Sequence, residues 1–289
     1  MKIFITGAEG QLGWELQRTA PQDMTIHAYD LPDLDITRAD LLEEKINHAR
    51  PDCIINAAAY TAVDKAEAET ELAFNVNAVG AENVARAAAA RGIRLVHIST
   101  DFIFDGKSGR PYTPADQAAP LGVYGKSKLA GETRIAATGV ERLIIRTSWL
   151  YSAHGKNFVK TMLELMRQRP ELRVVCDQIG TPTWAKGLAE FIWSVINRKD
   201  ISGIYHWTDA GVASWYDLAV AIMEEGLRLG LLERAVKVVP IPTSAYPTPA
   251  RRPSFSVLDK TATWDICQSA APHWRANLKR MLEEYTAYA

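Results

Sequence analysis

The chain has 289 residues, which is enough for one larger and one smaller domain around a substantial hydrophobic core. Its 33 basic and 34 acidic side chains nearly cancel, so the charge gives no reason to expect nucleic acid or an anionic membrane as partner. The cysteines Cys53, Cys176 and Cys267 are too widely spaced for a disulfide framework or a CxxC metal site, and we expect no metal. With no apolar stretch of membrane-spanning length and no signal sequence, we expect a soluble, cytoplasmic protein.

The first predicted strand, residues 2–6, runs directly into a glycine-rich turn. Gly7, Gly10 and Gly13 form a GxxGxxG pattern, and Trp14 then begins a predicted helix. Glycines at this position permit a tight turn and the close approach of a pyrophosphate, whose charge meets the positive end of the helix. The pattern between the first strand and the first helix predicts dinucleotide binding.

The second predicted strand, residues 25–29, ends at Asp30. An acidic side chain some twenty residues beyond the glycines can accept hydrogen bonds from the adenosine ribose. No Lys or Arg follows Asp30 directly, and Ala8 and Glu9 put an acidic group in the glycine turn. We therefore expect NADH to be favoured over NADPH. A helix over residues 38–49, with Thr37 as its N-cap, is predicted to follow.

The third predicted strand, residues 52–56, leads into three small residues, Ala57, Ala58 and Ala59, beside which a cofactor can lie closely. Residues 60–91 are rich in alanine and charged residues at helical spacing, and Gly92 is interpreted as the cap at the end of this helix. The glutamates within it, at positions 67, 69 and 71, are interpreted as solvated surface rather than as a metal site.

The chemistry is predicted to centre on Tyr124 and Lys128. A buried strand, residues 95–101, ends with the hydroxyl of Thr100, at the edge where open parallel sheets bind ligands. Four residues apart on a helix, Tyr124 and Lys128 share one face, so we expect the ammonium to lower the pKa of the phenol. Such a phenol can exchange a proton with a carbonyl or alcohol oxygen, and Thr100 can hydrogen-bond the same oxygen.

Later strands and helices continue the alternation and complete the predicted fold. A strand at 142–149 is followed by a helix at 157–169, a strand at 173–176, a helix at 183–197 and a last core strand at 203–207. The pattern predicts an α/β protein with a Rossmann-type, doubly wound parallel sheet and a smaller C-terminal α/β domain. The dinucleotide-binding domain is expected at 1–152 with a returning segment at about 181–208. The substrate domain is expected within 153–289, mainly at 153–180 and 209–289.

On these motifs the chain resembles the extended short-chain dehydrogenase/reductase family, and within it the enzymes that reduce dTDP-4-dehydro-L-rhamnose to dTDP-L-rhamnose. The resemblance covers essentially the whole chain and is most specific at residues 56–67, 146–149 and 242–253. It implies NADH or NADPH as cofactor, a nucleotide sugar as substrate and the last step of dTDP-L-rhamnose synthesis. A homodimer is left open.

The resemblance also assigns residues. Together with the glycine turn and the small residues after the third strand, it predicts that the cofactor is bound by Gly7, Gly10, Gln11, Leu12, Asp30, Asp35, Ile36, Ala57, Ala58, Ala59, Tyr60, Thr61, Tyr124 and Lys128. It implies a catalytic trio of Thr100, Tyr124 and Lys128, and contact with the deoxysugar by Thr100, Asp101 and Trp149. Two further residues, Arg251 and Arg252, are predicted from their chemistry to bind the nucleotide diphosphate, because guanidinium forks suit phosphate oxygens.

Two other classes of function stay open, another sugar-nucleotide enzyme of the same fold and a noncatalytic relative. Related 4,6-dehydratases carry a glutamate after their Thr-Asp pair, where this chain has Phe102, and related 4-epimerases retain a tightly bound NAD. A noncatalytic relative, the regulatory subunit of methionine adenosyltransferase, resembles the same family and acts by binding a partner. The intact set of Thr100, Tyr124 and Lys128 favours an enzyme. Ala8 stands where relatives that readily accept NADPH often have lysine, so the choice of cofactor is open.

Overall fold

A computed structural model describes residues 1–288 of the chain. Its centre is a sheet of six parallel strands, flanked by three pairs of short strands. The strands are β1 Lys2–Thr6, β2 Thr25–Tyr29, β3 Cys53–Asn56, β4 Arg94–Thr100, β5 Arg142–Thr147, β6 Leu150–Tyr151, β7 Glu171–Val175, β8 Ile179–Gly180, β9 Thr183–Trp184, β10 Gly203–His206, β11 Ala213–Ser214 and β12 Lys237–Ile241. The order in the main sheet is β10-β5-β4-β3-β1-β2.

Helices connect the strands and cover both faces of the sheet. The α-helices are α1 Gln11–Arg18, α2 Ala39–Ala49, α3 Val63–Ala66, α4 Thr70–Phe74, α5 Ala81–Ala89, α6 Val123–Ala137, α7 Phe158–Gln168, α8 Ala185–Val195, α9 Trp215–Arg228, α10 Thr261–Cys267 and α11 Trp274–Tyr288. A π-helical segment, Asn75–Gly80, joins α4 to α5, and 3₁₀ turns occupy Asp101–Ile103 and Thr243–Ala245.

Alternating side chains of β1 explain the two covered faces. Ile3 and Ile5 pack with α1 and α8 on one side, whereas Phe4 packs with α2 and α5 on the other. All three side chains are fully buried. A strand buried on both faces is typical of parallel sheets between helical layers. The predicted doubly wound sheet is therefore confirmed, and its strand order reverses between β1 and β3, where such folds bind ligands.

The sixth strand of the main sheet, β10, comes after α8 in the chain. β10 pairs in parallel with β5, and the buried Arg94 donates hydrogen bonds to the carbonyl oxygens of Arg198 and Ile201 just before it. A separate hydrophobic core forms among α7, α9 and α11 near β7. This core matches the smaller C-terminal unit expected from the sequence, while the domain boundaries stay a prediction.

Three local predictions are wrong. Residues 60–91 are not one helix, because residues 67–69 separate α3 from α4. Tyr60 lies outside both helices, and both of its backbone polar groups bond to the side chain of Asn77. Thr37 does not cap α2; its hydroxyl donates to Asp35 Oδ1, and Arg38 is the N-cap. Helix α1 begins three residues before Trp14, whose amide donates to the Gly10 carbonyl oxygen.

Within residues 1–288, no helix is both long and apolar enough to cross a membrane.

Candidate active site

A cleft of about 610 Å³ lies at the carboxyl edge of the sheet, between the glycine turn and the C-terminal unit. Most of the residues predicted for the site line it together. They are Gly7, Gly10, Gln11, Leu12, Asp30, Asp35, Ile36, Ala57, Ala58, Ala59, Thr61, Thr100, Asp101, Tyr124, Lys128, Trp149 and Arg252. Tyr60 and Arg251 are not among the residues of the cleft wall.

The glycine turn is shaped by contacts that only glycine allows. Gly7 has φ +74°, and a Cβ there would lie 2.5 Å from the Ala58 amide nitrogen. A Cβ on Gly13 would lie 2.1 Å from the Gly7 carbonyl oxygen, so α1 can pack on β1 only with glycine at this position. Gly10 takes the N-cap of α1 and leaves the first turn of the helix facing the cleft. These features fit a pyrophosphate held by backbone amides.

Next to the glycine turn, the cleft has an acidic side chain at the end of β2. Asp30 accepts hydrogen bonds from the Glu9 amide at Oδ2 and from the Leu31 amide at Oδ1, both at 2.8 Å. These bonds fix the carboxylate at the end of β2 beside the glycine turn. Asp35 is held by Thr37, and Ile36 is nearly buried beside Gly80. The arrangement fits an adenosine whose ribose hydroxyls donate to Asp30.

Thr100 ends β4, and the chain turns at once through Asp101–Ile103. The Thr100 hydroxyl oxygen accepts from the Phe102 amide at 3.2 Å, and the hydroxyl donates to Asp101 Oδ1 at 3.1 Å. The Asp101 side chain is only 1% exposed, and burial raises its pKa to about 7 against hydrogen bonds with Ser256 and Thr100. A hydroxyl and a buried carboxyl group therefore lie side by side in the cleft.

Helix α6 brings Tyr124 against this turn. A Cβ on Gly125 would lie 2.2 Å from the Phe102 carbonyl oxygen, so glycine lets the helix backbone touch the turn. The Tyr124 and Phe102 rings meet edge to face at 5.7 Å, and the Tyr124 phenol is within hydrogen-bonding reach of the Thr100 hydroxyl. Glu67 Oε1 accepts from the Val123 amide at 2.8 Å and so anchors the start of the helix.

Lys128 lies one turn further along α6 and is 3% exposed. Its Nζ donates to the Ile98 carbonyl oxygen at 2.7 Å, which ties the side chain to β4. Burial lowers the pKa of this ammonium to about 8, and the nearby Glu132 opposes the shift. Two N–H bonds of the ammonium are left to point elsewhere in the cleft.

The predicted effect of Lys128 on the pKa of Tyr124 is wrong for the protein alone. Burial raises the pKa of the phenol to about 12, the Thr100 hydrogen bond opposes this rise, and the negative charge of Asp101 adds to it. Desolvation disfavours the charged form of an acid, and here it is the largest of the three effects. Tyr124 is consequently a protonated group, suited to donating a proton.

Trp149 lines the cleft and has an unusual backbone conformation. Its φ is +45°, a region that bulky residues rarely adopt, and its ring stacks on Trp215 at 3.5 Å with an interplanar angle of 6°. A Cβ on Gly180 would lie 2.7 Å from the Trp149 ring, so the ring also needs glycine beneath it. The paired indoles give a flat apolar surface in the wall of the cleft that Thr100 and Tyr124 also line.

The two predicted diphosphate ligands differ in position. Arg252 reaches the cleft but forms a bidentate ion pair with Asp64, with Nη2 to Oδ2 at 2.7 Å and Nη1 to Oδ1 at 3.0 Å. Asp64 also accepts from the Ala250 amide, so the pair joins residues after β3 to the 248–252 segment. Arg251 is exposed outside the cleft wall.

Several residues of the site were missed from sequence. Trp215 was not predicted as a site residue, yet it stacks on Trp149 within the cleft wall. Lys156 and Asn157 also line the cleft, and Asn157 Nδ2 donates to Gln11 Oε1 at 3.0 Å. Both residues are far from the glycine turn in the chain, so no local sequence pattern indicated that they belong to the site. The contact of Glu67 with the start of α6 could be predicted only once the fold was known.

The protein has a parallel sheet with this strand order and these side chains at its carboxyl edge. Both features place it in the short-chain dehydrogenase/reductase class. Comparison with protein families narrows the class. The model of the RmlD substrate binding domain matches residues 1–287, and the chain belongs to that family.

Individual relatives agree over nearly the full length. The chain is 41% identical over 292 residues to the dTDP-4-dehydrorhamnose reductase of Escherichia coli K12, covering 98% of each protein. A crystal structure of a Clostridium acetobutylicum dTDP-4-dehydrorhamnose reductase superposes with a TM-score of 0.92 at 41% identity, covering 99% of this chain and 100% of the other. The Bacillus anthracis enzyme, solved in complex with NADP, superposes with a TM-score of 0.92 at 38% identity, covering 98% and 99%.

Proposed function

We propose that the protein reduces the C4 keto group of dTDP-4-dehydro-L-rhamnose to give dTDP-L-rhamnose, the last step of dTDP-L-rhamnose synthesis. The observation that carries the proposal is the meeting of Thr100 and Tyr124 in the wall of the cleft that the glycine turn and the Trp149–Trp215 stack also line. Support also comes from similarity to reductases of that name over nearly the whole chain.

The chain's own groups suit the protonation of a ketone oxygen. When bound, a reduced nicotinamide supplies the hydride to C4. Tyr124, protonated because its pKa is raised, donates a proton to the oxygen that gains negative charge. Thr100 lies beside Tyr124 and hydrogen-bonds the same oxygen.

Lys128 has two roles in this scheme. Its Nζ is fixed by the Ile98 carbonyl oxygen, and its remaining N–H bonds are available to orient the cofactor ribose. Its positive charge stabilises the tyrosinate left after proton transfer. Asp101 and Trp149 are proposed to contact the deoxysugar, since both line the cleft beside the reacting groups.

Product analysis tests the proposal. Purified protein, NADH and dTDP-4-dehydro-L-rhamnose should yield a product that coelutes with dTDP-L-rhamnose and has its configuration at C4. A GDP-linked 4-keto sugar serves as the control for the nucleotide. Dehydration, epimerisation without consumption of NADH, or no product from the dTDP sugar would contradict the proposal.

We further propose NADH as the favoured cofactor. Asp30 is held at the ribose end of the cleft by two amides, with Glu9 next to it, and both carboxylates repel a 2′-phosphate. The kcat/KM should be higher with NADH than with NADPH, and Asp30→Asn should shift the ratio towards NADPH. Asp33, which is exposed, provides the matched control in Asp33→Asn. Higher kcat/KM with NADPH in the unaltered protein would contradict this preference.

The proposed nucleotide contacts of Arg251 and Arg252 are separable. Arg252 lines the cleft, although Asp64 already neutralises much of its charge, and Arg251 is exposed. We expect Arg252→Gln to raise the KM for the dTDP sugar more than Arg251→Gln does.

The cytoplasmic location and the homodimer also stay predictions. Sedimentation velocity of the purified protein tests the homodimer.

A further inference from the structure

The side chain of Gln178 contacts the indole pair of the cleft without lining the cleft itself. It directly precedes β8 and is only 7% exposed. Trp149 and Trp215 are half-buried parts of the cleft wall, so a residue that fixes their rings can act on the substrate without touching it. Gln178 was not predicted as part of the site, and the reaction proposed above gives it no role.

Both ends of the Gln178 carboxamide are engaged. Its Oε1 accepts from Trp215 Nε1 at 3.2 Å, and its Nε2 donates to Thr243 Oγ1 at 3.1 Å. The orientation of the carboxamide follows from the first partner, because an indole N–H only donates. The Thr243 hydroxyl donates to Asp177 Oδ1 at 2.6 Å, so its oxygen is the atom that accepts from Gln178. These groups form one chain of hydrogen bonds that ends at the edge of the Trp215 ring.

The strand that follows Gln178 contacts the other indole. A Cβ on Gly180 would lie 2.7 Å from Cε2 of Trp149, so β8 packs directly against that ring. The same strand pairs antiparallel with β11, and Trp215 comes directly after β11. The short segment 178–180 therefore touches Trp215 through the Gln178 carboxamide and Trp149 through the backbone at Gly180.

The stack between the two rings depends on the rotation of Trp215. The Trp149 and Trp215 ring centroids are 3.5 Å apart with an interplanar angle of 6°, and Phe158 meets Trp215 at 4.7 Å and 47°. Apolar contacts of this kind have little directional preference within the plane of the ring. A hydrogen bond to Nε1 does have direction, so Gln178 selects one rotation of the Trp215 ring.

We infer that Gln178 is a positioning residue for the sugar: its carboxamide fixes the rotation of Trp215 and, through the stack, the face that Trp149 turns to the substrate. This inference rests on the proposed reductase function, in which Trp149 contacts the deoxysugar. A sugar ring that lies against a fixed apolar face has its C4 carbonyl group held in one place for reduction. The role therefore concerns binding of the keto sugar and not binding of NADH.

A set of variants separates positioning from simple stability. Gln178→Leu removes both hydrogen bonds and keeps an apolar side chain of similar length. Trp215→Phe removes the indole N–H and keeps an aromatic ring. The double variant combines the two changes. Thr19→Val is the matched control, because Thr19 Oγ1 accepts the same kind of bond, from Trp193 Nε1 at 3.1 Å, outside the cleft wall.

The readouts are the KM for the dTDP sugar, the Kd for NADH, Tm and the circular dichroism of the stacked indoles, which is assigned by its loss in Trp149→Phe. Gln178→Leu should raise the KM about three- to tenfold, weaken the indole signal and leave the Kd for NADH nearly unchanged. In the Trp215→Phe background, the same change should raise the KM less than about twofold, because no indole N–H is left to fix. Thr19→Val should change neither the KM nor the indole signal.

An unchanged KM and indole signal in Gln178→Leu, with only Tm lowered, would overturn the inference. Equal effects of Gln178→Leu with and without the Trp215 indole would also overturn it. If Gln178→Leu does not fold, an unchanged KM in Trp215→Phe overturns it. If the unaltered protein does not reduce the keto sugar, the proposed function fails separately. The indole signal then decides, because an unchanged signal in Gln178→Leu would still overturn the positioning of the ring pair.

Discussion

The buried ammonium of Lys128 predicts an alkaline limit to activity. Burial lowers its pKa from the usual 10.5 to about 8, although Glu132 opposes the shift. A change of this size corresponds to about 3 kcal/mol of bias against the charged form. If the charged form orients the cofactor and stabilises the tyrosinate, kcat/KM for NADH should fall above about pH 8 and reach about one tenth of its plateau by about pH 9.

The assay is the pH dependence of kcat/KM for NADH, which reports ionisations of the free enzyme. Tyr124, with a pKa raised to about 12, titrates outside the range of interest. Lys128→Arg should remove the alkaline limb from whatever activity it retains, because a guanidinium stays protonated. Lys126→Met is the control on the same helix; Lys126 is exposed, and its loss should leave the limb in place.

The same ionisation predicts a trend in stability. The folded pKa of Lys128 lies below the unfolded value, so between about pH 8 and 10.5 the unfolded chain binds more protons. The contribution of this residue to the free energy of unfolding should therefore rise with pH across that range, and Lys128→Met should lack the rise. A profile of kcat/KM that stays flat beyond about pH 9, or a limb that persists in Lys128→Arg, would refute the reasoning.

Three further changes probe the proton donor, the buried charges and the glycine turn. Tyr124→Phe should lower kcat about 10²- to 10⁴-fold with little change in the Kd for NADH; near-normal turnover would exclude it as proton donor. Arg146→Met leaves the buried Glu132 unpaired and should cost about 3–5 kcal/mol in urea unfolding, more than replacing both residues with apolar ones. Gly13→Ala should weaken NADH binding and lower Tm, whereas Gly109→Ala, with open space around it, should do neither.

The fold and the cofactor half of the site could be predicted because their signals are local. The glycines, the acidic end of β2 and the alternation of strands and helices each depend on residues close together in the chain. The backbone packs so closely at Gly7 and Gly13 that a Cβ would clash there, which shows why both positions are glycine. Thr100 and Tyr124 were also predicted together, since a strand end and a following helix start meet at one edge of a parallel sheet.

Other parts of the site depend on contacts between distant residues and gave no such signal. Tyr60 is kept out of the helix predicted for residues 60–91 by its bonds to Asn77, which periodicity does not show. Trp215 stacks on Trp149, which is 66 positions away in the chain. The pKa of Tyr124 was predicted in the wrong direction because spacing on a helix indicates a neighbouring charge but not the extent of burial.

The most direct measurement is the loss of NADH absorbance when the purified protein meets dTDP-4-dehydro-L-rhamnose. Parallel reactions contain the GDP-linked 4-keto sugar, or the Tyr124→Phe variant in place of the unaltered protein. Rapid oxidation of NADH with the dTDP sugar, and little with either control, is the predicted result. No oxidation with the dTDP sugar by protein that binds NADH would contradict the proposed reductase function.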